Sequence, residues 1–305
     1  MIIDIHVHAF PDKVASKAIE TLENLYKVKA FSDGTITGLL KHMTGSGVDI
    51  SVVLPVSTDP RQVVSINTWT SGLCKMIGEM LDDEDFVNSH NLDKIARRSF
   101  CPVVGFGTIH PDFVDYKGEI QRMKELGIKG VKFQPTFQKF YPHDDKMFPV
   151  YEELIKAGIM IIFHTGDEIQ PAELIYSTPE SLVRVLDVMK PVMGEYGYFV
   201  DSAEDSRTYK IIAAHMGGFR LWDRVEEYLI GREIFFGASF VFGHMDSDRA
   251  VDMMRSHGIH RILFGSDFPF SRQNVDLEYV LNSGLTDDEK KAVLSLNAVG
   301  LLNLA

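Results

Sequence analysis

Met1-Ile-Ile-Asp-Ile-His-Val-His8 is the stretch on which the fold turns. Its strand-sized apolar run, Ile2–His6, leads into His-Val-His rather than a glycine-rich turn. A doubly wound open sheet shares the strand–helix alternation of a closed barrel, but usually carries a Gly-rich phosphate turn after its first strand. Seven more apolar runs follow: Ile50–Pro55, Val103–Ile109, Gly130–Gln134, Gly158–His164, Lys210–His215, Ile234–Ser239 and Arg261–Ser266. Several are continuously apolar, as strands buried on both faces are. Amphipathic stretches lie between them, at Gly118–Leu126, Met147–Ala157, Pro179–Met189, Leu221–Ile230 and Asp246–His257; Phe148, Tyr151 and Ile155 show the helical spacing. Eight strands alternating with helices predict an α/β protein, a (β/α)8 barrel. Its usual ~250 residues leave ~50 for insertions, so residues 1–305 are expected to form one domain. Two long polar connections are expected as surface excursions: one from Asp82 to about Arg98, the other Met193–Arg207. The second follows a helix, which points to the face away from the strand C-termini.

Composition narrows the function. Forty-three acidic against 31 basic residues give a net charge of −12, which argues against non-specific nucleic-acid binding. No apolar run approaches the ~18 residues of a membrane span, and the N-terminus lacks the basic and apolar regions of a secretion signal. A cytoplasmic location is therefore expected. Two cysteines, Cys74 and Cys101, allow neither a disulfide framework nor an all-cysteine zinc site.

Side chains alternate faces along a strand, so Asp4, His6 and His8 are expected on one face and Ile3, Ile5 and Val7 on the other, toward the helices. Two imidazoles at i and i+2 can converge on one ion, although an isolated His-x-His reads equally well as two unrelated histidines. Three more residues bear on this. His164 ends the run Ile159–Phe163, His215 ends Ile211–Ala214, and Asp267 ends Ile262–Ser266. Each sits at the C-terminal end of a strand, where barrel active sites are built. With the His-x-His pair they close strands one, five, six and eight around one rim. A shared metal site accounts for this better than satisfied core histidines do. The donor types suit Zn2+, while Mn2+, Fe2+ and Ni2+ are also compatible.

The pattern resembles the amidohydrolase superfamily of metal-dependent barrels, in particular its branch related to aminocarboxymuconate-semialdehyde decarboxylase. Asp4-Ile-His-Val-His8, Gly107-Thr-Ile-His-Pro111, Gly127-Ile-Lys-Gly-Val-Lys-Phe-Gln-Pro135, Phe163-His-Thr-Gly166, His215-Met-Gly-Gly218 and Gly265-Ser-Asp-Phe-Pro269 carry the resemblance, with Asn297-Ala298 and Leu301-Leu302 near the end. It implies that His6, His8, His164 and Asp267 hold one divalent ion and that His215 contacts bound water or substrate. In a hydrolytic reading Asp267 takes the proton of the water and delivers it to the leaving group, while His215 stabilises the developing oxyanion. The resemblance also implies a homodimer, although no interface is legible in the sequence.

Some positions depart from the pattern. Lys132 shares a strand face with Gln134. In two-metal members of the superfamily a carboxylated lysine here bridges the ions; the branch resembled uses one ion, which leaves Lys132 as a cationic substrate contact or the buried partner of a carboxylate such as Asp4. Gln134 stands where relatives often show His, so it is expected as a substrate contact rather than a metal ligand. Ser239 ends the seventh strand and is expected to line the pocket. Arg61 and Arg272, on loops after strands two and eight, are candidates to hold an anionic substrate, as is Arg220; at most one is expected to serve. His110 and His244 are expected as turn or loop residues.

Three functions follow. The first is hydrolysis of a small amide, ester or lactone. The second is non-oxidative decarboxylation of a small carboxylic acid, with Asp267 protonating the carbon. The third is an inactive metal-binding barrel, which the cost of burying so many ionisable groups disfavours.

Overall fold

Parallel pairing runs from strand to strand around a closed ring in the computed structural model, which describes residues 1–201 and 207–304. The ring comprises β1 (Ile3–Val7), β2 (Ile50–Val53), β3 (Val103–Gly105, resumed after Phe106 by Gly107–Thr108), β4 (Gly130–Phe133), β5 (Met160–Phe163), β6 (Ile211–Ala213), β7 (Phe235–Gly237) and β8 (Ile262–Leu263). Strands pair in that order through β8. Closure comes from Ile5 N donating to Phe264 O at 3.0 Å, Asp267 N to His6 O at 2.8 Å, and a parallel bridge between Val7 and Phe268. The expected (β/α)8 barrel is the observed fold. Among the described residues no helix is long and apolar enough to cross a membrane.

Two apolar shells hold the ring. The inner one joins Ile3, Ile5, Ile50, Val52, Phe106, Ile162, Ile212, Phe235 and Leu263, and is plugged by Ala298, Leu301 and Leu302 of the helix Asn297–Leu302. The outer one packs Val7, Val53, Val131, Phe133, Ile161, Phe163 and Ala213 against the helices. Successive residues of one strand enter different shells, as β periodicity demands.

That periodicity breaks once, where it matters most. Ile3 pairs with Ile50 and Asp4 with Ser51, but Val7 pairs with Val53, so β1 carries one residue more than β2. A bulge of this kind re-aims the side chains that follow it. Ile3 and Ile5 face into the barrel, not toward the helices as strict alternation predicted, and Asp4 lies on the other face. Beyond the extra residue His6 and His8 face inward while Val7 packs outward. The expectation that Asp4 shares a face with His6 and His8 is thus corrected.

The two long connections carry more structure than expected. From Asp82 to Arg98 the chain forms short helices, Glu84–His90 and Asp93–Ala96. The Asp83 carboxylate accepts from Asp85 N and Phe86 N, and Val87, Leu92 and Ile95 are buried. The helix expected to stop at Met189 runs from Pro179 to Glu195 through Pro191, with Met193 fully buried beyond the proline. An antiparallel ribbon follows, Phe199–Asp201 with Arg207–Tyr209; residues 202–206 lie outside the described residues. Tyr198 Oη donates to Ile159 O and Lys210 O, just before β5 and β6, which places the ribbon at the N-terminal face. Cys74 and Cys101 come together as a pair, with Cα atoms 5.7 Å apart.

Candidate metal centre

His6, His8 and Asp267 meet where β1 and β8 close the ring. Asp267 Oδ1 lies 3.3 Å from His6 Nε2 and 3.0 Å from His8 Nε2. One donor atom from each residue falls within 4.8 Å of the other two. The remaining ring nitrogens are engaged elsewhere: His8 Nδ1 donates to Leu54 O at 2.8 Å, and His6 Nδ1 lies 3.0 Å from Ser239 Oγ. Second partners of this kind orient metal-ligating imidazoles. Burial, followed by the nearby Lys132, holds His6 well below the ordinary histidine range, so its imidazole is neutral. Burial alone would raise the Asp267 carboxyl; His6 and the His8 hydrogen bond outweigh it and hold the group well below its ordinary value. Two acceptors, the Nε2 of the neutral His6 and Asp267 Oδ1, face each other at 3.3 Å with His8 Nε2 beside them, an arrangement that a cation between them would relieve. The donor set fits a divalent ion.

His164 and His215 stand beside this cluster, but His164 is not within it. Its Nδ1 is 3.0 Å from His215 Nε2, and its Nε2 is 3.2 Å from both Asp167 O and Glu168 Oε1. Burial pushes both imidazoles down to about 3, so they too are neutral. One set of tautomers links these side chains from end to end, although His215 Nδ1 then brings no proton to Ser239 O, 3.1 Å away. His164 Nε2–H donates toward Asp167 and Glu168, His215 Nε2–H to His164 Nδ1, Ser239 Oγ–H to His215 Nδ1, and His6 Nδ1–H to Ser239 Oγ. His6 Nε2 is then left with its lone pair facing Asp267. His215 and Asp267 both adopt left-handed backbone, with φ of 56° and 69°, a conformation costing non-glycine residues of order 1–3 kcal/mol at functional sites. Trp222 Nε1 donates to His215 O and helps hold the first of these turns.

Asp4, displaced by the bulge, buttresses both ends of the site. Its Oδ1 accepts from His6 N and Ser266 N, each at 3.0 Å, and its Oδ2 from Ser266 Oγ at 2.6 Å and Gln273 Nε2 at 2.9 Å. Those amides belong to His6 and to the neighbour of Asp267. Lys132 is not its partner, as one expectation had it: Lys132 Nζ lies 3.4 Å from His6 Nε2. Asp4→Ala is expected to destabilise the fold by about 1–3 kcal/mol, the cost of an unpaired buried polar group, and to weaken metal binding. Asp4→Asn should do less, because Gln273 Oε1 is buried without a partner and can accept from the new amide. Urea unfolding and metal titration check both; equal effects from Ala and Asn would deny Asp4 this role.

A cavity of about 670 Å³ opens over these residues. His6, His8, Lys132, Gln134, His164, Asp167, Glu168, His215 and Asp267 form its floor, and Phe10, Tyr26, Trp69, Phe137, Phe219, Phe240 and Phe270 stand in its walls. Burial lowers the Lys132 ammonium to about 8, opposed by Asp267 and Glu168. Lys132 and Gln134 line the cavity as expected. Ser239 does not: it is fully buried behind His6 and His215 and positions them. Neither Arg61 nor Arg272 lines it either. Arg61 is highly exposed and paired with Asp59 in its own turn, and Arg272 stacks on Phe31. Arg220 donates to Glu168 O and covers the Phe219 ring. His110 accepts from Asp112 N within its turn, and His244 stacks on Phe240.

Glu168 went unforeseen. It is 6% exposed and accepts from Gln134 Nε2 at 3.0 Å, and burial raises its carboxyl. Gly166 makes this return possible, because at φ +92° a Cβ there would collide with the Phe219 backbone. The signal was Thr165-Gly-Asp-Glu168 directly after a strand-end histidine.

Solved structures share this architecture. The chain matches 5-carboxyvanillate decarboxylase from Sphingomonas paucimobilis over 99% of its own length and 98% of the other, at 15% identity and a TM-score of 0.59. A dihydroxybenzoic acid decarboxylase from Polaromonas, with bound manganese, matches over 99% and 97%, at 13% identity and a TM-score of 0.60. A probable 2-pyrone-4,6-dicarboxylic acid hydrolase from Acinetobacter baumannii matches over 99% of both chains, at 15% identity and a TM-score of 0.59. Among curated proteins none matches the chain in sequence. The family match itself covers residues 102–304, about two thirds of the chain and three of the five rim residues, His164, His215 and Asp267: the chain belongs to the amidohydrolase family.

Proposed function

We propose that residues 1–305 act as one catalytic unit, a hydrolase of a small amide, ester or lactone that uses one divalent ion, Zn2+ in the first instance. The observation that carries this is the convergence of His6 Nε2, His8 Nε2 and Asp267 Oδ1 at the floor of a cavity. His164, beside the cluster, would be the fourth ligand in this reading, its Nδ1 exchanging the His215 Nε2–H for the ion. When bound, the ion supplies Lewis acidity, lowering the pKa of water toward ~7 and polarising a carbonyl. Asp267, its carboxyl held well below the ordinary value, accepts the proton of the attacking water and returns it to the leaving group. His215, neutral and held by Ser239, would turn its Nε2–H from His164 Nδ1 to the developing oxyanion once His164 Nδ1 engages the ion. Lys132 offers a cation beside the substrate carbonyl. With its amine buried against His6, it is proposed to stay unmodified, so that a single ion is bound.

Non-oxidative decarboxylation is the second reading, favoured by the aromatic walls and by the activities named for two of the structural neighbours. Asp267 would then protonate carbon. Against it, no arginine lines the cavity among the described residues. The test is to load the protein with Zn2+ or Mn2+ and offer matched panels of esters, lactones, amides and aromatic carboxylates. Metal-dependent acid release, with one ion per chain and an unmodified Lys132, is expected. Metal-dependent release of carbon dioxide alone would select the second reading, and no metal-dependent turnover of either panel would count against both.

A further inference from the structure

The cavity is far larger than its reactive floor requires. An apolar cavity of ~150 Å³ already holds a benzene ring, whereas this one measures about 670 Å³. Its outer part runs between two helices. Val14, Ala18 and Leu22, spaced i, i+4, i+8, form one face of the helix Asp12–Tyr26, and Ile66 and Trp69 face the cavity from the helix Val63–Ser71. Val14 is 49% exposed, and Ala18, Leu22, Ile66 and Trp69 are only half-buried. An apolar wall left open to water in this way marks a binding groove. All five residues precede residue 102, where the family match begins. The part of the chain that shapes this groove therefore lies outside the matched segment.

We infer that the substrate carries an extended apolar arm, alkyl or aryl, that leaves the reacting carbonyl at the histidine cluster and lies between these two helices. The inference rests on the hydrolase reading for the position of the carbonyl, and on the helix faces for the arm. Charge supports it. The floor holds Lys132, Asp167, Glu168 and Asp267, while of the residues facing the groove from the helix Asp12–Tyr26 only Lys17, exposed at its outer edge, is charged. Thr21, Thr58, Gln62 and Ser65 also line the cavity, but its surface is predominantly apolar, so an apolar tail buries area at every step.

Alkyl hydroxamic acids test the arm without turnover, because their head groups bind a metal ion and their tails vary in length. Isothermal titration calorimetry on Zn2+-loaded protein should show affinity rising about three- to fourfold per methylene from acetohydroxamic to octanohydroxamic acid. Leu22→Asp and Ile66→Asp should flatten the series, with thermal melts confirming that both fold. A flat series in the unmodified protein would overturn the inference, as would an unchanged slope in both variants. His8→Ala separates the two readings. If the slope survives while binding proves indifferent to this substitution, the arm groove is supported and the metal-centred reading falls.

Discussion

Asp267→Asn is expected to give a folded, metal-loaded protein whose kcat is at least ~10²-fold lower. Asparagine keeps the shape and one oxygen near His6 Nε2 and His8 Nε2, which lie 3.3 and 3.0 Å from the aspartate. Three imidazoles, from His6, His8 and His164, are themselves a known ligand set for catalytic zinc. Ion binding should therefore weaken without being lost. Proton transfer has no such reserve. Among the described residues no other carboxylate joins the cluster; Glu168, also in the floor, is engaged by Gln134 and His164, and general acid–base catalysis typically contributes ~10²–10⁴-fold. Mass spectrometry of the metal beside steady-state kinetics decides the matter. Near-normal kcat with the ion retained would pass the proton-carrying role to His215.

His8→Ala and His6→Ala should both abolish activity through loss of the ion, but with different effects on stability. His8 has a partly exposed ring, 22% accessible, anchored mainly by Leu54 O. Its removal should leave the fold nearly intact. His6 is buried and joins Ser239, Lys132 and Asp267. Its removal strands Ser239 Oγ within the buried chain and should cost a further ~1–3 kcal/mol. In both variants metal affinity should fall by more than the ~10–100-fold typical of losing a mere supporting partner. Equal stability losses would mean that the hydrogen-bonded chain from His6 to His215 is not structural.

The eight strands were legible because each is a short apolar run ending in a polar or glycine turn, and burial on both faces enforces that composition. The gathering of His6, His8, His164, His215 and Asp267 on one rim was legible for the same reason, since strand ends share a face of any barrel. What escaped is what one extra residue can do. The bulge in β1 leaves no mark on composition, yet it sends Asp4 away from His6 and His8 and makes it a brace for Ser266 and Gln273. The left-handed turns at His215 and Asp267 are likewise imposed by tertiary contacts rather than by residue type. Arg61 and Arg272 do not line the cavity, because nearer partners, Asp59 and Phe31, hold them. The apolar groove needs two helices from different parts of the chain, and no single window of sequence contains both.

The central claim is that one ion sits among His6, His8 and Asp267. Crystals of protein loaded with Zn2+ or Mn2+, measured at the absorption edge of the metal, test it most directly. A single anomalous peak per chain is expected, bound by His6 Nε2, His8 Nε2 and Asp267, with His164 as the fourth protein ligand and no carboxylate added to Lys132. A peak bridged by a carboxylated Lys132 with a second ion beside it, or no peak at this cluster while metal is bound elsewhere, would contradict the account.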